Sequence, residues 1–593
     1  MNGSTLKQNQ FTGNKSLMVE LNNTFDSHVI NGIIEGDYFS HDYIGSTNNS
    51  EWVMGISIGG ESKYSSYENL IIKDITGYGS GNGIANSPDN KLGYTYLYPN
   101  SVGNSFKLGD IDRSTGLDTS STNRTTSSLI DISGYSSIGY LSINAYLGYQ
   151  GLSGGTWNII CHFYNANKTF IKSIDGYQYR RIAVPFNSKY IRITLLNSSY
   201  PTNLSIQYFR IPTHCSFKNI TFNNCRCVGM AQSAMKDMLV DKCDFSNCGQ
   251  SSARCAYDAE DGWDMMQDCT FKSLNFSNNP LNDFLTCAGH NFIIDGQIQG
   301  KIDIWERTRS LIVKNCITPS IILQSGGKDA IVTHGIYRVY NNNFISGSVN
   351  NNLSKYNTCT NSLNGVIYNS ILGGVGNGVY KNCTIKVSKV LLGYMKKVSM
   401  YNCTFIPDSN FTDRYSLSFS SGHLNDYYFE NCKFNGKSIL NNHLYFYSGY
   451  FVNCIFDDTT IAPNVFANSD DIISFKDCTI NYKSNNLIFY SPHAYSKGTF
   501  SQISFENCII NNLDNTTNPL LYALAKPNGF CKFKNCIINI PKTITVFDGY
   551  SSNIDYIENF LLEFNNSPLP NEVKLISDSY KSNSNIKINL YYT

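Results

Sequence analysis

One short pattern repeats along the second half of the chain: Asn431-Cys-Lys-Phe434, Asn453-Cys-Ile-Phe456, Asp477-Cys-Thr-Ile480, Asn507-Cys-Ile-Ile510 and Asn535-Cys-Ile-Ile538. In each copy, Asn or Asp precedes a Cys, and a large apolar residue stands two positions after the Cys. The pattern begins at Asn224-Cys225, and from Cys383 to Cys536 its cysteines are 20, 29, 22, 24, 30 and 28 residues apart. A unit that recurs every roughly 20 to 50 residues predicts a solenoid.

The repeats contain no amphipathic helical stretch, which excludes the helical solenoids, and they lack the leucine spacing of leucine-rich repeats. The remaining class is an all-β parallel β-helix, in which each coil contributes short strands that pair with those of the next coil. We expect each Cys and its apolar partner to point inward, and the Asn or Asp side chains to form a ladder at a corner. Neighbouring coils should lie about 4.8 Å apart, the spacing of paired strands.

Residues 98–212 have a different pattern. Apolar and polar residues alternate over Ile138–Tyr146, Trp157–Tyr164 and Lys189–Leu195, and Cys161 is the only cysteine of this segment. Alternation with a period of two predicts half-buried antiparallel strands. We therefore expect an antiparallel β-sandwich inserted into the β-helix. It resembles the jelly-roll modules of phage tail and carbohydrate-active proteins, which often bind sugars.

The composition narrows the possible functions. Charged residues make up 15% of the 593 residues, aromatic residues make up 13%, and the net charge is +1. This aromatic content argues against disorder, and the lack of a basic block argues against nucleic-acid binding. The sequence contains no apolar run of about 18 residues, so no membrane-spanning segment is predicted. The N-terminus lacks a secretory signal pattern, so we expect release by cell lysis or a leader that has been removed. A neutral surface rich in Tyr and Asn favours sugars as ligands.

The 19 cysteines fall at coil-like intervals, and none of them forms a CxxC pair. That spacing argues against a structural zinc site, which needs paired ligands. We predict that the cysteines are free thiols, because an unpaired Cys behaves as a small buried apolar side chain.

The repeat resembles that of the right-handed parallel β-helix proteins of the pectate-lyase and polygalacturonase type, over residues 17–97 and 213–560. With the embedded sandwich and the Tyr-, Asn- and Ser-rich composition, the chain looks like a bacteriophage tailspike or tail-fibre protein. We predict N-terminal β-helix coils at 1–97, an inserted, carbohydrate-binding β-sandwich at 98–212, the main β-helix at 213–560 and C-terminal capping strands at 561–593. The resemblance also implies a homotrimer in the extracellular virion tail, with other tail or baseplate proteins as partners.

Acidic residues concentrate in one segment, whereas the rest of the chain is poor in charge. The candidate catalytic acids are Glu260, Asp261, Asp283 and Glu306. The step from Asp261 to Asp283 is 22 residues, and Asp303 follows after 20 more. Because each step is close to one coil, we expect carboxylates on one face of three consecutive coils. Glycoside hydrolases use two carboxyl groups roughly 5 to 9.5 Å apart, a separation that adjacent coils can supply.

Polygalacturonases carry paired aspartates, a Gly-His motif and a basic residue on successive coils, and the segment is similar to that arrangement. The similarity implies Glu260 or Asp261 as the general acid, Asp283 as base or nucleophile, and His290 and Arg307 as substrate-orienting groups. The Asn-Thr-Asp motif of that family is absent, and its Gly-His-Gly is replaced by Gly-His-Asn. The predicted substrate-binding residues are Asp258, Trp263, His290, Trp305, Arg307 and Arg254.

Other interpretations of the same segment stay open. A lyase would use a basic residue, and four are available: Arg254, Lys301, Arg307 and Arg309. The acids could instead be solvated, His290 could be a corner side chain bonded to backbone, and the two tryptophans could pack a loop. We expect no cofactor, although carboxylates can bind Ca²⁺, and such a site could be formed by Asp258, Glu260, Asp261 and Asp264.

The sequence thus predicts a phage or prophage tailspike or tail-fibre protein that binds a bacterial surface polysaccharide and cleaves it. A glycosidase is favoured over a lyase. One alternative is a non-catalytic receptor-binding or structural tail protein, with the 98–212 module as the binding part. Another is a bacterial carbohydrate-active enzyme, either a hydrolase or a lyase.

Overall fold

The computed structural model places two compact units, Met1–Ile293 with Arg307–Arg309 and Ile294–Glu306 with Ser310–Thr593. The structure describes residues 3–10, 15–41, 43, 50, 52–82, 94–97, 106–133, 139–145, 158–177, 181–196, 204–207, 211–251, 255–259, 266–280, 282–319, 321–323, 331–334, 336–337, 339–341, 366–372, 378–387, 397–407, 415–418, 426–435, 443–446, 449–457, 460–463, 473–482, 502–513, 519–522, 530–548, 560–578 and 586–591.

The first unit begins with stacked parallel strands. Short β-branched runs closed by Gly or Asn form them, as in His28-Val-Ile-Asn-Gly-Ile-Ile-Glu35, and such runs favour strands. Ile33 pairs in register with Ile71, so one coil spans 38 residues here. The strands are β1 Ser4–Lys7, β2 Lys15–Asn22, β3 His28–Glu35, β4 Trp52–Gly59, β5 Ser66–Lys73 and β6 Tyr78–Asn82. The odd-numbered strands stack on one another, and so do the even-numbered strands.

The next twelve strands are antiparallel and enclose a separate apolar core. They are β7 Tyr94–Leu97, β8 Phe106–Leu108, β9 Asp110–Ile111, β10 Asp118–Thr119, β11 Thr125–Ser127, β12 Ile130–Asp131, β13 Tyr140–Ala145, β14 Asn158–Tyr164, β15 Phe170–Tyr177, β16 Ile182–Ala183, β17 Tyr190–Leu195 and β18 Leu204–Gln207. One sheet has the order β15-β14-β17-β11-β8, with β12 beside β17, and another has the order β16-β13-β18-β7. The three alternating runs in the sequence correspond to β13, β14 and β17, which confirms that they are antiparallel strands.

The parallel stack resumes after this module with its register unchanged. The following strands are β19 Ser216–Asn223, β20 Val228–Gln232, β21 Met235–Lys236, β22 Leu239–Asp241, β23 Asp244–Ser246, β24 Cys255–Ala259, β25 Met266–Gln267, β26 Thr270–Lys272, β27 Asn275–Ser277 and β28 Asn282–Asp295. Ile220 in β19 pairs with Leu70 in β5, and Asn219 donates from Nδ2 to Asn69 Oδ1 at 2.8 Å. The module therefore occupies a loop of a single coil and does not disturb the coils on either side.

The second unit continues as parallel strands. They are β29 Ile302–Lys314, β30 Ile321–Leu323, β31 Ile331–Thr333, β32 Ile336–Tyr337, β33 Val339–Asn341, β34 Val366–Tyr368, β35 Ile371–Leu372, β36 Gly378–Lys381, β37 Thr384–Val387, β38 Lys397–Tyr401, β39 Thr404–Pro407, β40 Tyr415–Ser418, β41 Asp426–Glu430, β42 Lys433–Asn435, β43 His443–Phe446, β44 Gly449–Val452, β45 Ile455–Asp457, β46 Thr460–Pro463, β47 Ile473–Lys476, β48 Thr479–Tyr482, β49 Gln502–Glu506, β50 Ile509–Asn512, β51 Leu521–Tyr522, β52 Phe530–Lys534, β53 Ile537–Asn539, β54 Thr545–Asp548, β55 Phe560–Asn565, β56 Lys574–Ile576 and β57 Ile586–Tyr591. One ladder runs from β31 through β34, β36, β38, β41, β44, β47, β49, β52 and β55 to β57.

The predicted fold class is confirmed: the chain is all-β, a parallel β-helix with an antiparallel module. The four boundaries drawn from the sequence stay predictions. The strands of 561–593 continue the stack, since β56 pairs parallel with β54 and β57 pairs parallel with β55. In the described ranges, no helix is long and apolar enough to cross a membrane.

The repeated Asn or Asp has a backbone role at each corner. The residue before the Cys has φ between 51° and 57° in ten copies of the Asn-Cys or Asp-Cys corner, at Asn224, Asp268, Asn315, Asn382, Asn402, Asn431, Asn453, Asp477, Asn507 and Asn535. This left-handed conformation is costly for most residues, but Asn and Asp tolerate it. Their side chains also form the predicted ladder: Asn453 donates from Nδ2 to Asn431 Oδ1 at 2.7 Å, and Asn507 donates to Asp477 Oδ1 at 3.0 Å.

The interior is built from columns of identical side chains. Six rings stack face to face in the second unit with centroids 4.8 to 5.0 Å apart: Phe429, Phe451, Phe475, Phe505, Phe533 and Phe564. This separation matches the spacing of paired strands. A parallel register therefore converts one well-packed apolar position into a continuous column, to which each further coil adds the same contacts.

The cysteines form further columns inside the β-helix. The 18 described cysteines are all free and buried, which confirms the prediction for these positions, and Cys359 lies outside the described residues. Burial raises the pKa of the Cys243 and Cys269 thiols to about 12 and that of Cys316 to about 11. The Cys316 Sγ donates to the carbonyl of Lys314 at 3.2 Å. These thiols act as small apolar side chains with a local hydrogen bond.

At pH 8 we expect Cys243, Cys269 and Cys316 to stay unmodified by iodoacetamide in the native protein, because only the thiolate reacts and the fold disfavours it. In urea the same thiols should be alkylated completely. Peptide mass spectrometry would measure both. The raised pKa values also predict that stability falls as the pH rises above about 9, since unfolded thiols then ionise and folded thiols do not. Equal alkylation in native and denatured protein would contradict this assignment.

Candidate functional site

Two strands of adjacent coils carry the described acids of the candidate segment in the first unit. Asp258 lies in β24 and Asp283 near the start of β28, and these strands pair in parallel. Cys255 pairs with Asn282 and Ala259 pairs with Thr286. The acids are therefore on neighbouring strands, displaced by two positions along the strand direction. From a strand spacing of about 4.8 Å and a rise of about 3.3 Å per residue, their Cα atoms lie about 8 Å apart.

The coil that separates the two acids is longer than the spacing of acids in the sequence. Residues paired between β24 and β28 are 27 positions apart, whereas the step from Asp261 to Asp283 is 22. Asp283 consequently lies opposite Ala256 and not opposite Asp261. The physical reason is that this coil contains three further short strands, β25 to β27, and the corners that join them. The coil is therefore longer than the step from one acid to the next in the sequence.

Asp283 is half-buried and held by a neighbouring corner. Asn279 donates from Nδ2 to Asp283 Oδ1 at 2.9 Å. The same Asn279 accepts from the backbone N–H of Cys248 at 2.9 Å and reaches the Phe245 carbonyl at 3.3 Å. Asn279 is thus fixed by the coil below, and it orients the Asp283 carboxylate.

Asp258, which was predicted to bind substrate, is a buried carboxylate. Its residue is only 3% exposed. Cys287 Sγ lies 3.9 Å from Asp258 Oδ1, at the long limit for a thiol hydrogen bond. Both neighbours in β24, Tyr257 and Ala259, are buried as well. Direct contact of Asp258 with a polysaccharide is therefore excluded in this conformation.

The Gly-His pair lies farther along β28. Gly289 has φ of +124°, and a Cβ there would meet the Phe292 ring at 2.3 Å, so glycine is required on both counts. His290 is half-buried and pairs in register with Gln267 of β25, and its carbonyl accepts from the Asp268 N–H at 3.1 Å. This contact involves the backbone of His290, so both the substrate-orienting role and the structural role of its side chain stay predictions.

Arg181 is a cation near β28 that was not predicted from the sequence. With its amide oriented so that Oε1 faces the guanidinium, Gln267 accepts from Arg181 Nη1 and Nη2 at 2.9 and 3.1 Å. Arg181 lies just before β16 of the antiparallel module, and its guanidinium lies 4.4 Å from the centre of the Tyr140 ring. The module therefore brings a positive charge next to the residue that pairs with His290. Nothing in the sequence marks this contact, since the two residues belong to different architectures.

The second unit holds the remaining described candidates. In β29, Asp303 is 4% exposed and pairs with Ile322, while Trp305 is 36% exposed. The ring of Trp305 is thus available to a ligand, as a sugar-stacking side chain requires. Glu306 belongs to β29 by its backbone, and its side chain lies outside the described residues, as does that of Arg307, which falls in the first unit.

Several candidates lie wholly outside the described residues: Arg254, Glu260, Asp261, Trp263 and Asp264. The acid pair and the calcium interpretation that depend on them therefore stay predictions. Within the described ranges, no three His, Cys, Asp or Glu side chains come together to hold a metal ion.

Comparison with known proteins adds little to this geometry. No protein-family model matches the chain, and no curated protein matches it. Among solved structures, the chain is similar to the tailspike of Acinetobacter baumannii bacteriophage AP22, determined in complex with A. baumannii capsular saccharide, at 10% sequence identity. The match covers 99% of this chain and 74% of that one, with a TM-score of 0.16. At such a score the likeness supports no conclusion about function.

Proposed function

We propose that this protein is a tailspike- or tail-fibre-like β-helix that binds a bacterial surface polysaccharide and hydrolyses it. The observation that carries the proposal is the half-buried Asp283. Asn279 orients its carboxylate, and its strand pairs with β24, the strand that Glu260 and Asp261 follow in the sequence.

The surface chemistry supports a neutral carbohydrate as the ligand. The net charge is +1, so a strongly charged partner would gain little from this protein. Aromatic rings are exposed on the β-helical strands and corners, including Trp52 at 47%, Tyr64 at 50% and Tyr450 at 53%. Rings of this kind offer an apolar face with a polar tip, which suits the alternating character of a sugar.

In the proposed mechanism Asp283 acts as the base that activates water, or as the nucleophile. Glu260 or Asp261, which follow β24 directly in the sequence, supplies the proton to the leaving oxygen. His290 and Arg307 orient the sugar. The roles of Glu306 and Trp305, which belong to the second unit, stay predictions from the sequence. Each of these roles is a proposal, and Asp258 is assigned a supporting one because it is buried.

Replacing Asp283 with Asn tests the proposal directly. We expect the release of reducing ends from host polysaccharide to fall by about 100-fold or more, the usual contribution of a general base, with binding retained. Asp268→Asn is the matched control, because within the described part of the chain that carboxylate accepts a ladder bond from Asn291 and has no proposed role in cleavage. Binding is measured separately, with immobilised polysaccharide. If Asp283→Asn cleaves at the wild-type rate, the assignment is wrong.

The same assay separates the alternatives. Products with an unsaturated sugar at the new non-reducing end would identify a lyase. Binding without any cleavage by the wild-type protein would identify a receptor-binding protein. We also propose that the protein works as a homotrimer in an extracellular virion tail, attached to other tail or baseplate proteins. Light scattering of the purified chain would measure the subunit number, and a monomeric mass would exclude the trimer.

A further inference from the structure

A second group of reactive side chains lies in the first unit, between β3 and β4. His41 Nδ1 contacts Asp37 Oδ2 at 2.9 Å, and His41 Nε2 faces Ser50 Oγ at 3.4 Å. The other carboxylate oxygen, Asp37 Oδ1, accepts from Thr76 Oγ1 at 2.8 Å. Asp37, His41 and Ser50 are 3%, 7% and 2% exposed. The serine, the imidazole and the carboxylate thus lie in a row, and Thr76 binds the carboxylate oxygen that does not contact His41.

The order of the contacts defines what each group can do. A carboxylate beside Nδ1 holds the proton on that nitrogen, so Nε2 carries the lone pair that faces the serine. Nε2 can then accept the hydroxyl proton and leave Oγ as a nucleophile. The distance of 3.4 Å is slightly long for a hydrogen bond, as such contacts often are without substrate. Thr76 is a positioning residue, since its hydroxyl contacts the Asp37 carboxylate and also forms a side-chain hydrogen bond with Tyr43.

The backbone at Ser50 is strained. Ser50 has φ of 33°, lower than the φ of the other described non-glycine residues with positive values, which lie at 47° or above. A non-glycine residue is strained in this conformation and persists there only when the surrounding structure enforces it. Ser50 is not part of the Asn-Cys corner pattern, so the repeat does not explain its conformation. Strained serines of this kind are found where a hydroxyl must be presented at a sharp turn.

A second group of the same residue types provides a comparison, because the two nitrogens of its imidazole face the serine and the carboxylate in the reverse order. His28 Nδ1 contacts Ser66 Oγ at 2.7 Å, and His28 Nε2 contacts Asp26 Oδ1 at 3.1 Å. However, the Ser66 hydroxyl donates to Glu68 Oε1 at 3.0 Å, so its proton points away from the imidazole. His28 therefore cannot act as the base for Ser66 in this arrangement. Residue types alone do not make such a group reactive, and the direction of the serine proton decides it.

The surface beside His41 could receive a sugar. The Tyr43 ring contacts the His41 ring at 4.7 Å and is 37% exposed. The guanidinium of Arg226 lies 4.9 Å from the centre of the Tyr43 ring. Phe39, two residues before His41, is 81% exposed. Exposed rings with an adjacent cation suit a neutral, hydroxyl-rich group, and the 2% exposure of Ser50 favours a small acyl group over a large one.

We infer that Ser50, His41 and Asp37 form a catalytic triad that hydrolyses small carboxylic esters, of the type in which a short acyl group is carried on a sugar hydroxyl. Ser50 Oγ attacks the ester carbonyl while His41 Nε2 takes its proton. The C–O bond to the alcohol breaks, and the alcohol leaves with that proton. Water then attacks the acyl-Ser50 ester with His41 as base, which releases the carboxylic acid and restores the hydroxyl. Only water is consumed, and no electrons are transferred.

The ester chemistry does not rest on the proposed function, but the sugar as the carrier of the acyl group does. The full chain is therefore treated first with a fluorophosphonate probe and with p-nitrophenyl acetate, neither of which contains a sugar. We expect the probe to modify Ser50, as located by peptide mass spectrometry. Ser50→Ala should abolish this modification and lower ester hydrolysis by about 10³-fold or more, and Asp37→Asn should lower it similarly. O-acetylated host polysaccharide is the second substrate, with acetate release as the readout.

Two further variants keep the outcome decisive. Ser66→Ala is the matched control and should retain full labelling of Ser50. Ser50→Cys keeps a nucleophile in place, and His41 should make its thiol react with iodoacetamide at pH 8 faster than Cys243 does. The triad would be overturned if the probe left Ser50 of the wild-type protein unmodified. It would also be overturned if iodoacetamide alkylated the Ser50→Cys thiol no faster than Cys243. Asp283→Asn should leave probe labelling unchanged, so that loss of polysaccharide cleavage and loss of ester hydrolysis are separate results.

Discussion

Replacing Phe475 with alanine is expected to lower the free energy of unfolding by about 3 to 5 kcal/mol, as for other large-to-small changes in a core. Phe475 is fully buried, with rings stacked on both sides: Phe451 and Phe505 each lie at 5.0 Å. Its backbone pairs in register with the same two residues. The strands therefore hold the two neighbouring rings at a fixed separation, so the cavity left by the change cannot collapse.

The measurement is guanidinium unfolding followed by circular dichroism, or the unfolding rate if unfolding is irreversible. Tyr450→Ala is the control, because Tyr450 lies beside Phe451 in β44 with its residue 53% exposed. We expect that change to alter stability by no more than about 0.5 kcal/mol, as at most surface positions. Phe475→Leu should fall between the two. Equal stability of Phe475→Ala and Tyr450→Ala would show that the ring column contributes little.

The fold could be predicted because its signals are local and repeated. Asn453 and Asp477 each stand where the backbone turns into the left-handed conformation, and this requirement restricts the residue type at every corner. The following Cys is restricted by the narrow interior. A requirement imposed in ten successive places leaves a period that a single sequence reveals. The antiparallel module could be predicted for a related reason, because its apolar and polar residues alternate with a period of two and not with the length of a coil.

The candidate site could be predicted only in part. The segment holds Asp283 on one strand next to that of Asp258, as expected, but the spacing of acids did not give the coil length. That length is set by the corners between β24 and β28, which vary without changing the strands. The contact of Arg181 with Gln267, and that of Thr76 with Asp37, join residues far apart in sequence. Such contacts follow from the register of the coils, and no pattern in the sequence predicts them.

A column of glycines in the first unit gives the second large effect, through overpacking. Gly55, Gly79 and Gly229 lie opposite one another in β4, β6 and β20, and Ala256 of β24 follows. A Cβ on Gly79 would meet the Gly229 carbonyl oxygen at 2.5 Å, and one on Gly229 would meet the Ala256 carbonyl oxygen at 2.6 Å. Neither φ is left-handed, so glycine is needed here for space. The neighbouring coil approaches too closely for any side chain.

Gly229→Ala is therefore expected to lower the free energy of unfolding by about 3 kcal/mol, the upper part of the range for overpacked cores, because backbone and not a flexible side chain must move. Gly59→Ala is the matched control, since its Cβ would find its nearest atoms at 3.6 Å, an ordinary contact. The position opposite Ala256 in β28 is Asp283, so the displaced strand is the one on which the proposed base depends. Gly229→Ala should then also slow polysaccharide cleavage at temperatures where it remains folded. Unchanged stability together with unchanged cleavage would mean that the coils can separate at this column without cost.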